Sequence, residues 1–279
     1  MEAYWQIEIN CPAPFTDILI AELAAAGFDS FVENDHGFTT YSREHPDQTA
    51  LQHILTKYTG QTDITHTISR LENRNWNAEW EKSYRPVVVD ERCIVRASFH
   101  PPAPEYPIEI IINPRMSFGT GHHTTTWLML HTQLAIDHRY KRVLDAGCGT
   151  GILSVMAGKL GAEEIIGFDI DKAVVDNARE NIKINQVSAE IQAGTLDTLN
   201  IAGPFDIILA NINKNVLLHD LPGYARLLAD DGHLVLSGFY NDDLADLQIE
   251  AGRHDLRLQH SQCKDDWAVA VFRPASNEC

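Results

Sequence analysis

Hydrophobic spacing changes character twice along the chain. Over the first ~70 residues, alternating stretches bracket stretches of helical period. Trp5-Gln6-Ile7-Glu8-Ile9 alternates apolar and polar positions, as a strand with one buried face does. Residues 14–26 place Ile18, Leu19, Leu23 and Ala26 at helical spacing, and Gly27 ends the run. Two short strands are predicted at residues 28–32 and 38–41, joined by the turn-forming Asn34-Asp35-His36-Gly37. Residues 46–58 predict a second helix with Leu51, Ile54, Leu55 and Tyr58 on one face, and residues 62–69 alternate again. The order β-α-β-β-α-β is ferredoxin-like and predicts a small α+β domain over residues 1–72.

From Arg142 onward, short apolar strands alternate with helical stretches, the pattern of a parallel sheet. Strands are predicted at residues 143–145, 165–169, 190–192, 207–210 and 233–237. Helices are predicted at 127–134, 152–160, 172–185, 216–228 and 241–251, and residues 256–262 and 267–272 predict a closing antiparallel hairpin. The fold class is therefore α/β: a doubly wound, seven-stranded Rossmann-like domain over residues 116–279, preceded by the ferredoxin-like module. Between them, residues 73–115 carry neither period for long. Residues 75–84 predict a short helix presenting Trp76 and Trp80. Strand-like runs at 93–99 and 108–112 flank Pro101, Pro102, Pro104 and Pro107, which predicts an interdomain connection packed on the larger domain.

Charge narrows the function. The chain has 279 residues and a formal net charge of −17. Residues 1–72 hold 11 acidic and 3 basic side chains, and residues 73–117 hold six of each. Such a balance repels phosphate backbones and attracts basic partners, so neither DNA nor RNA is expected as the substrate. No apolar run is long enough to span a membrane. The five cysteines are scattered and form no CxxC pair, so neither a disulfide framework nor a zinc site is expected, and a cytoplasmic location is.

The sharpest chemical signal is Asp145-Ala146-Gly147-Cys148-Gly149-Thr150-Gly151, set between a predicted strand and a predicted helix. Glycine lets the backbone turn sharply and lets a ligand touch it without a Cβ in the way. The spacing is GxGxG, not the GxGxxG of nicotinamide sites. Asp145 at the loop's entrance would repel a pyrophosphate, whereas it suits the sulfonium and ammonium of S-adenosylmethionine. Gly147, Gly149 and Asp145 are thus candidate cofactor residues. Asp169, 22 residues after Gly147, ends the second strand and can accept both ribose hydroxyls. Asp171 is its rival, or the N-cap of the next helix. Asn211 lies past the fourth strand's end, where an amide can orient a substrate amine towards the methyl carbon, or simply cap a loop. Asn213 and Asn215 are read as loop-capping residues of that kind. Upstream, Phe118 can flank the ligand, and Thr125 and Thr126 can either cap the helix at 127–134 or bond the cofactor. Adjacent His122 and His123 lack a matched ligand set, so no metal is expected.

The runs Phe118-Gly119-Thr120-Gly121-x-His123-x-Thr125-Thr126, Asp145-x-Gly147-Cys148-Gly149-x-Gly151, Gly167-x-Asp169-Ile170-Asp171 and Ala210-Asn211-Ile212 resemble the ribosomal protein L-eleven methyltransferases (PrmA type). Asn75-Trp76-Asn77-Ala78-Glu79-Trp80 and Trp267 are similar to that family too. The likeness spans nearly the whole chain. It departs at Asn113-Pro114-Arg115-Met116, at His122-His123-Thr124 and at Asn213-Lys214-Asn215. The resemblance implies an N-terminal domain that grips a basic ribosomal protein of the large subunit. It implies a C-terminal domain that methylates lysine side chains and the N-terminal amine. It further implies cofactor contacts from Thr126, Gly147, Asp169 and Asn211. Methylation of a glutamine amide, an adenine or a small-molecule nitrogen is the alternative activity. A cofactor-binding scaffold without transfer is the alternative of another class.

Overall fold

The opening alternation becomes β1 (Tyr4–Asn10), which buries Ile7 and Ile9 and turns Glu8 outward. It lies between β3 (Gly37–Ser42) and β4 (Thr65–Leu71), and β2 (Asp29–Asn34) completes an antiparallel sheet of order β2-β3-β1-β4. Helix α1 (Ala13–Ala25) begins beside Pro12 and ends at Gly27, whose φ of +91° only glycine takes without strain. Helix α2 (Gln48–Thr56) is capped by Asp47, which accepts from the N–H groups of Thr49 and Ala50. Leu19 and Leu23 of α1 meet Leu51, Ile54 and Leu55 of α2 over Ile7, Ile9 and Phe38. Order and pairing are the ferredoxin-like arrangement. The computed structural model describes residues 4–34, 36–42, 45–60, 62–71, 84–113 and 123–275. The chain divides between Tyr84 and Arg85 into two units, of which this sheet and its helices are the first. The expected helix with Trp76 and Trp80 lies outside the described residues.

The second unit opens with a three-stranded sheet, β5 (Val87–Val89), β6 (Cys93–Arg96) and β7 (Ile108–Ile111), with β6 and β7 parallel. Its Val89, Cys93, Val95 and Ile110 join the main core of this unit. Burial pushes the Cys93 thiol up to about 12. The guanidinium of Arg96, nearly buried, pairs with Glu109 at 2.7 Å and also donates to the carbonyls of Ala97 and His100. These bonds stiffen the proline-rich loop.

The large sheet has seven strands in the order β10-β9-β8-β11-β12-β14-β13. They are β8 (Arg142–Ala146), β9 (Glu164–Asp169), β10 (Glu190–Ala193), β11 (Phe205–Asn211), β12 (Leu228–Tyr240), β13 (Leu256–Lys264) and β14 (Trp267–Pro274). The first five are parallel; β14 runs antiparallel to both its neighbours. Side-chain alternation feeds two cores. Val143, Ile207 and Leu209 face α3 (Thr124–Gln133), α4 (Ile152–Lys159) and α5 (Lys172–Ile184). Leu144, Ile208 and Ala210 face α6 (Lys214–Leu227) and α7 (Leu244–Gly252). A 3₁₀ turn (Asn241–Asp243) precedes α7, so the single helix expected at 241–251 is two elements.

Two caps differ from expectation. Helix α3 starts at Thr124 and is capped by His123, whose Nδ1 accepts the Thr125 N–H, so Thr125 and Thr126 lie inside the first turn. Asn213 caps α6 by accepting the Val216 N–H, and Asn215 sits within the helix instead of capping it. Both differences follow from where extended backbone gives way to helix, which side-chain type alone does not fix.

Helix α5 carries a buried polar ladder. Asn185 donates to and accepts from the backbone of Ile111. Asn181 accepts from the Asn113 N–H at 3.1 Å and donates to the Thr150 carbonyl at 3.0 Å. One amide thus joins the strand leaving β7 to the glycine loop.

Candidate active site

In the strand order, β8 connects outward through α4 to β9, while β11 lies on its other side. The crevice between β8 and β11 is therefore the point at which open α/β sheets bind ligands, beyond the strands' C-terminal ends. The glycine loop leaves β8 there, and Asn211 ends β11 there. Gly147 has φ +68°, and a Cβ on it would overlap the side chain of Ile212. The loop and Ile212 can pack only because that Cβ is missing.

A cavity of about 390 Å³ fills the crevice, within the range of small-molecule sites. Gly147, Gly149, Asp169 and Asn211 line it, as does Trp267. Asp169 accepts from the Gly149 N–H at 3.0 Å through one oxygen and from the Asp171 N–H at 3.1 Å through the other. Each oxygen keeps a further lone pair, as a vicinal diol requires. Asp171 instead caps α5, accepting from the Ala173 N–H at 2.7 Å. Of these two acids only Asp169 lines the cavity.

Asp145 lies beneath the loop and outside the lining. It is fully buried, and its Oδ2 accepts from the N–H and hydroxyl of Ser154 at 3.0 and 2.6 Å. Burial pushes its carboxyl up to about 6, against the pull of the Ser154 bonds and with help from the charge of Asp169. The Cys148 thiol is driven well above its usual range, by burial first and then by the same two acids, so it stays protonated. Thr126, expected as a cofactor contact, is also buried and outside the lining, whereas its neighbour Thr125 reaches the cavity. Phe118 lies outside the described residues.

The fit of S-adenosylmethionine can be judged from atoms left without partners. Asn211 Oδ1, Thr126 Oγ1 and Asp145 Oδ1 are buried and find no hydrogen-bond partner among the described residues. An unmade buried hydrogen bond costs about 1–3 kcal/mol, and Asn211, the one of the three that lines the cavity, calls for a polar partner there. A glycine cradle, a diol acceptor and an unsatisfied amide oxygen suit a ribose-bearing, cationic molecule. A larger open depression of about 620 Å³ lies among Asp230, Arg257 and Arg273, away from the glycine loop, and holds none of these features.

Ile212, Asn213, Trp267, Gly238 and His123 also line the cavity without having been singled out as site residues by sequence. Gly238, at φ +93°, lines the cavity at a bulge in β12, and a Cβ there would overlap the Ile212 backbone. The signal available was a glycine directly after a predicted strand. His123 also lines the cavity, its ring edge-on to Trp267 at 4.8 Å. Among the described residues no group of three or more His, Cys, Asp or Glu could hold a metal ion, and no helix is long and apolar enough to cross a membrane.

Sheet order, glycine loop and the carboxylate at the end of β9 place the chain among the S-adenosylmethionine-dependent methyltransferases of Rossmann-like fold. A ribosomal protein L11 methylase from Lactobacillus delbrueckii subsp. bulgaricus has the same fold, with a TM-score of 0.64 at 24% identity over 68% of this chain and 99% of that one. The model of the family described as "Ribosomal protein L11 methyltransferase (PrmA)" matches residues 20–274. The ribosomal protein L11 methyltransferase of Bacteroides thetaiotaomicron is 40% identical over 94% of this chain and 95% of its own length. That of Porphyromonas gingivalis is 40% identical over 93% and 91%. The chain belongs to the ribosomal protein L11 methyltransferase (PrmA) family.

Proposed function

We propose that this protein transfers methyl groups from S-adenosylmethionine to amino groups of ribosomal protein L11, on lysine side chains and at the N-terminus. The observation that carries the reading is the unpartnered Oδ1 of Asn211 at the end of β11. A carboxamide oxygen accepts an N–H from a neutral amine and so aims the nitrogen lone pair. S-adenosylmethionine, when bound, supplies an electrophilic methyl group on a sulfonium. Asp169 and the glycine loop would hold it, with Thr126 as a further contact. Asp145 would act from below through its charge. Trp267 and Ile212 wall the cavity and exclude water.

The chain's task is to orient and to dry the acceptor. A lysine of pKa 10.4 costs ~4.6 kcal/mol to hold neutral at pH 7, and an apolar wall lowers that cost by disfavouring the ammonium form. His123 accepts the Thr125 N–H through Nδ1 and so serves as the cap of α3. Loss of the acceptor's proton to water before binding is the simplest route.

In this reading residues 1–72 recognise the substrate, residues 73–115 connect, and residues 116–279 catalyse, in the cytoplasm. At the strand end the chain has Asn211-Ile212-Asn213-Lys214, so no aromatic residue follows Asn211 in its own loop to stack on a planar amide or base, and the cavity's indole, Trp267, comes from β14 instead. That supports an amine over a glutamine or adenine nitrogen. Labelled-methyl transfer to purified ribosomal protein L11, mapped by mass spectrometry, tests the reading, with label expected on lysines and the N-terminal amine. Asn211→Ala is expected to lower kcat about 10- to 100-fold; turnover within about twofold of wild type would remove the role assigned to Asn211.

A further inference from the structure

One wall of the cavity is the indole of Trp267, the first residue of β14. An indole at a strand's start has other rotamers open to it unless neighbours exclude them. Tyr240 stacks on it with ring centroids 4.3 Å apart and planes 29° apart, and the two residues are paired across β12 and β14. Tyr240 lies outside the cavity lining and is 52% exposed. It is itself held. Its N–H donates to Asp243 Oδ2 at 3.2 Å, and Asp243 Oδ1 accepts from Lys214 Nζ at 2.7 Å. Lys214 Nζ also donates to Asp246 at 2.6 Å. Lys214 opens α6, three residues after Asn211, at a place where the sequence departs from the family pattern. Contacts outside the cavity therefore run from the Asn211 loop through Lys214, Asp243 and Tyr240 to Trp267. These ion pairs are partly exposed, so their Coulombic share is small and their effect is geometric.

We propose that Tyr240, held by the Lys214–Asp243 clasp, is a specificity-determining positioning residue. It fixes the indole of Trp267 so that the cavity admits an extended aliphatic amine. The inference rests on the amine-acceptor reading above. Without the phenol ring the indole keeps only the edge-on ring contact with His123 among its ring neighbours and can swing into the vacated space, and the acceptor loses one wall while the glycine loop and Asp169 are untouched. A purely structural role, in which the stack only helps to pair β12 with β14, would alter stability and leave the acceptor's kinetics alone.

The test uses the full chain, with kcat and KM measured for ribosomal protein L11 and the cofactor Kd measured by calorimetry. Tyr240→Ala is expected to lower kcat/KM for the protein acceptor about tenfold while leaving the cofactor Kd within about twofold. Tyr240→Phe keeps the stack and is expected to restore kcat/KM, and Lys214→Met to reproduce part of the Ala loss. Because the ring is half exposed, Tyr240→Ala should stay folded, which its circular dichroism melt checks. The inference is overturned if Tyr240→Ala keeps kcat/KM within about twofold, if it weakens the cofactor as much as it lowers kcat/KM, or if Tyr240→Phe is no better than Ala. Label on no amine with wild-type protein overturns the functional reading and the inference with it. Labelled amines with unchanged Tyr240→Ala kinetics overturn the inference alone.

Discussion

Asp145 is a carboxylate in a place that disfavours its charge. Its pKa is raised, so the folded protein keeps the proton to higher pH than the unfolded chain does. Between about pH 4 and about pH 6 the folded state binds more protons, and stability falls as pH rises through that window. Asp145→Asn keeps an oxygen for Ser154 and removes the charge, though its amide hydrogens then occupy the unpartnered position. A net gain of about 1–2 kcal/mol at pH 8, shrinking towards zero near pH 4, is expected in denaturant melts of the ligand-free protein. A gain that did not vary with pH would assign the effect to packing. The acid was legible in the sequence because it precedes the glycine run. Its depth was not, because Ser154 satisfies it from the next helix and spacing does not say which way a side chain points. Asn211 and Asp169 were legible for a different reason: strand ends in an α/β alternation are sites by topology.

At the scale of elements, the β13–β14 hairpin turns on Asp265 and Asp266, both at positive φ (48° and 66°). Two-residue hairpins favour Asn-Gly for that conformation, and each non-glycine residue there costs about 1–2 kcal/mol. Asp266→Gly should therefore stabilise the protein by about 1 kcal/mol, which a denaturant midpoint would show as an increase. Asp265→Gly should gain less, because it also removes the acceptor for the Thr124 hydroxyl, 3.2 Å away. A loss of stability in Asp266→Gly would mean that its side chain makes a compensating contact. The hairpin itself was predicted from its alternation, although its turn lacks the usual glycine. The polar ladder of α5 was not legible. Helical spacing puts Asn181 and Asn185 on the face of Ala178 and Ile182, but asparagine is seldom buried, and only their backbone partners on and just after β7 and in the glycine loop satisfy them there.

Over the whole molecule, acidity and activity support each other. Residues 1–72 carry 11 acids against 3 bases, and residues 118–279 carry 22 against 13. A basic ribosomal protein is attracted to both parts. Its affinity should fall as salt is raised from about 50 to 500 mM, measured by calorimetry, since exposed charges are screened beyond a Debye length of about 10 Å at 0.1 M. An affinity flat over that range would separate recognition from net charge. Alternation and helical period marked strands and helices in both units; where the second unit begins was not legible, because residues 87–111 form a small sheet that joins its core, so the unit starts at Arg85 and not at residue 116.

The strand order also bears on biosynthesis. The first unit closes its sheet with β4, at Leu71, so every partner it needs has been made while the rest is still to come. The larger sheet is different, because β14 follows β13 in the chain but lies between β12 and β13. As the nascent chain lengthens through residues 241–266, one edge of β12, with Leu234, Val235 and Leu236, has no strand to pair with. Neither can β13 join before β14 exists. Such an unpaired apolar edge is open to wrong partners during synthesis. Insertion of β14 closes that edge and delivers Trp267 to the cavity in the same event, so the catalytic unit gains its last wall only when its sheet becomes safe from misassembly.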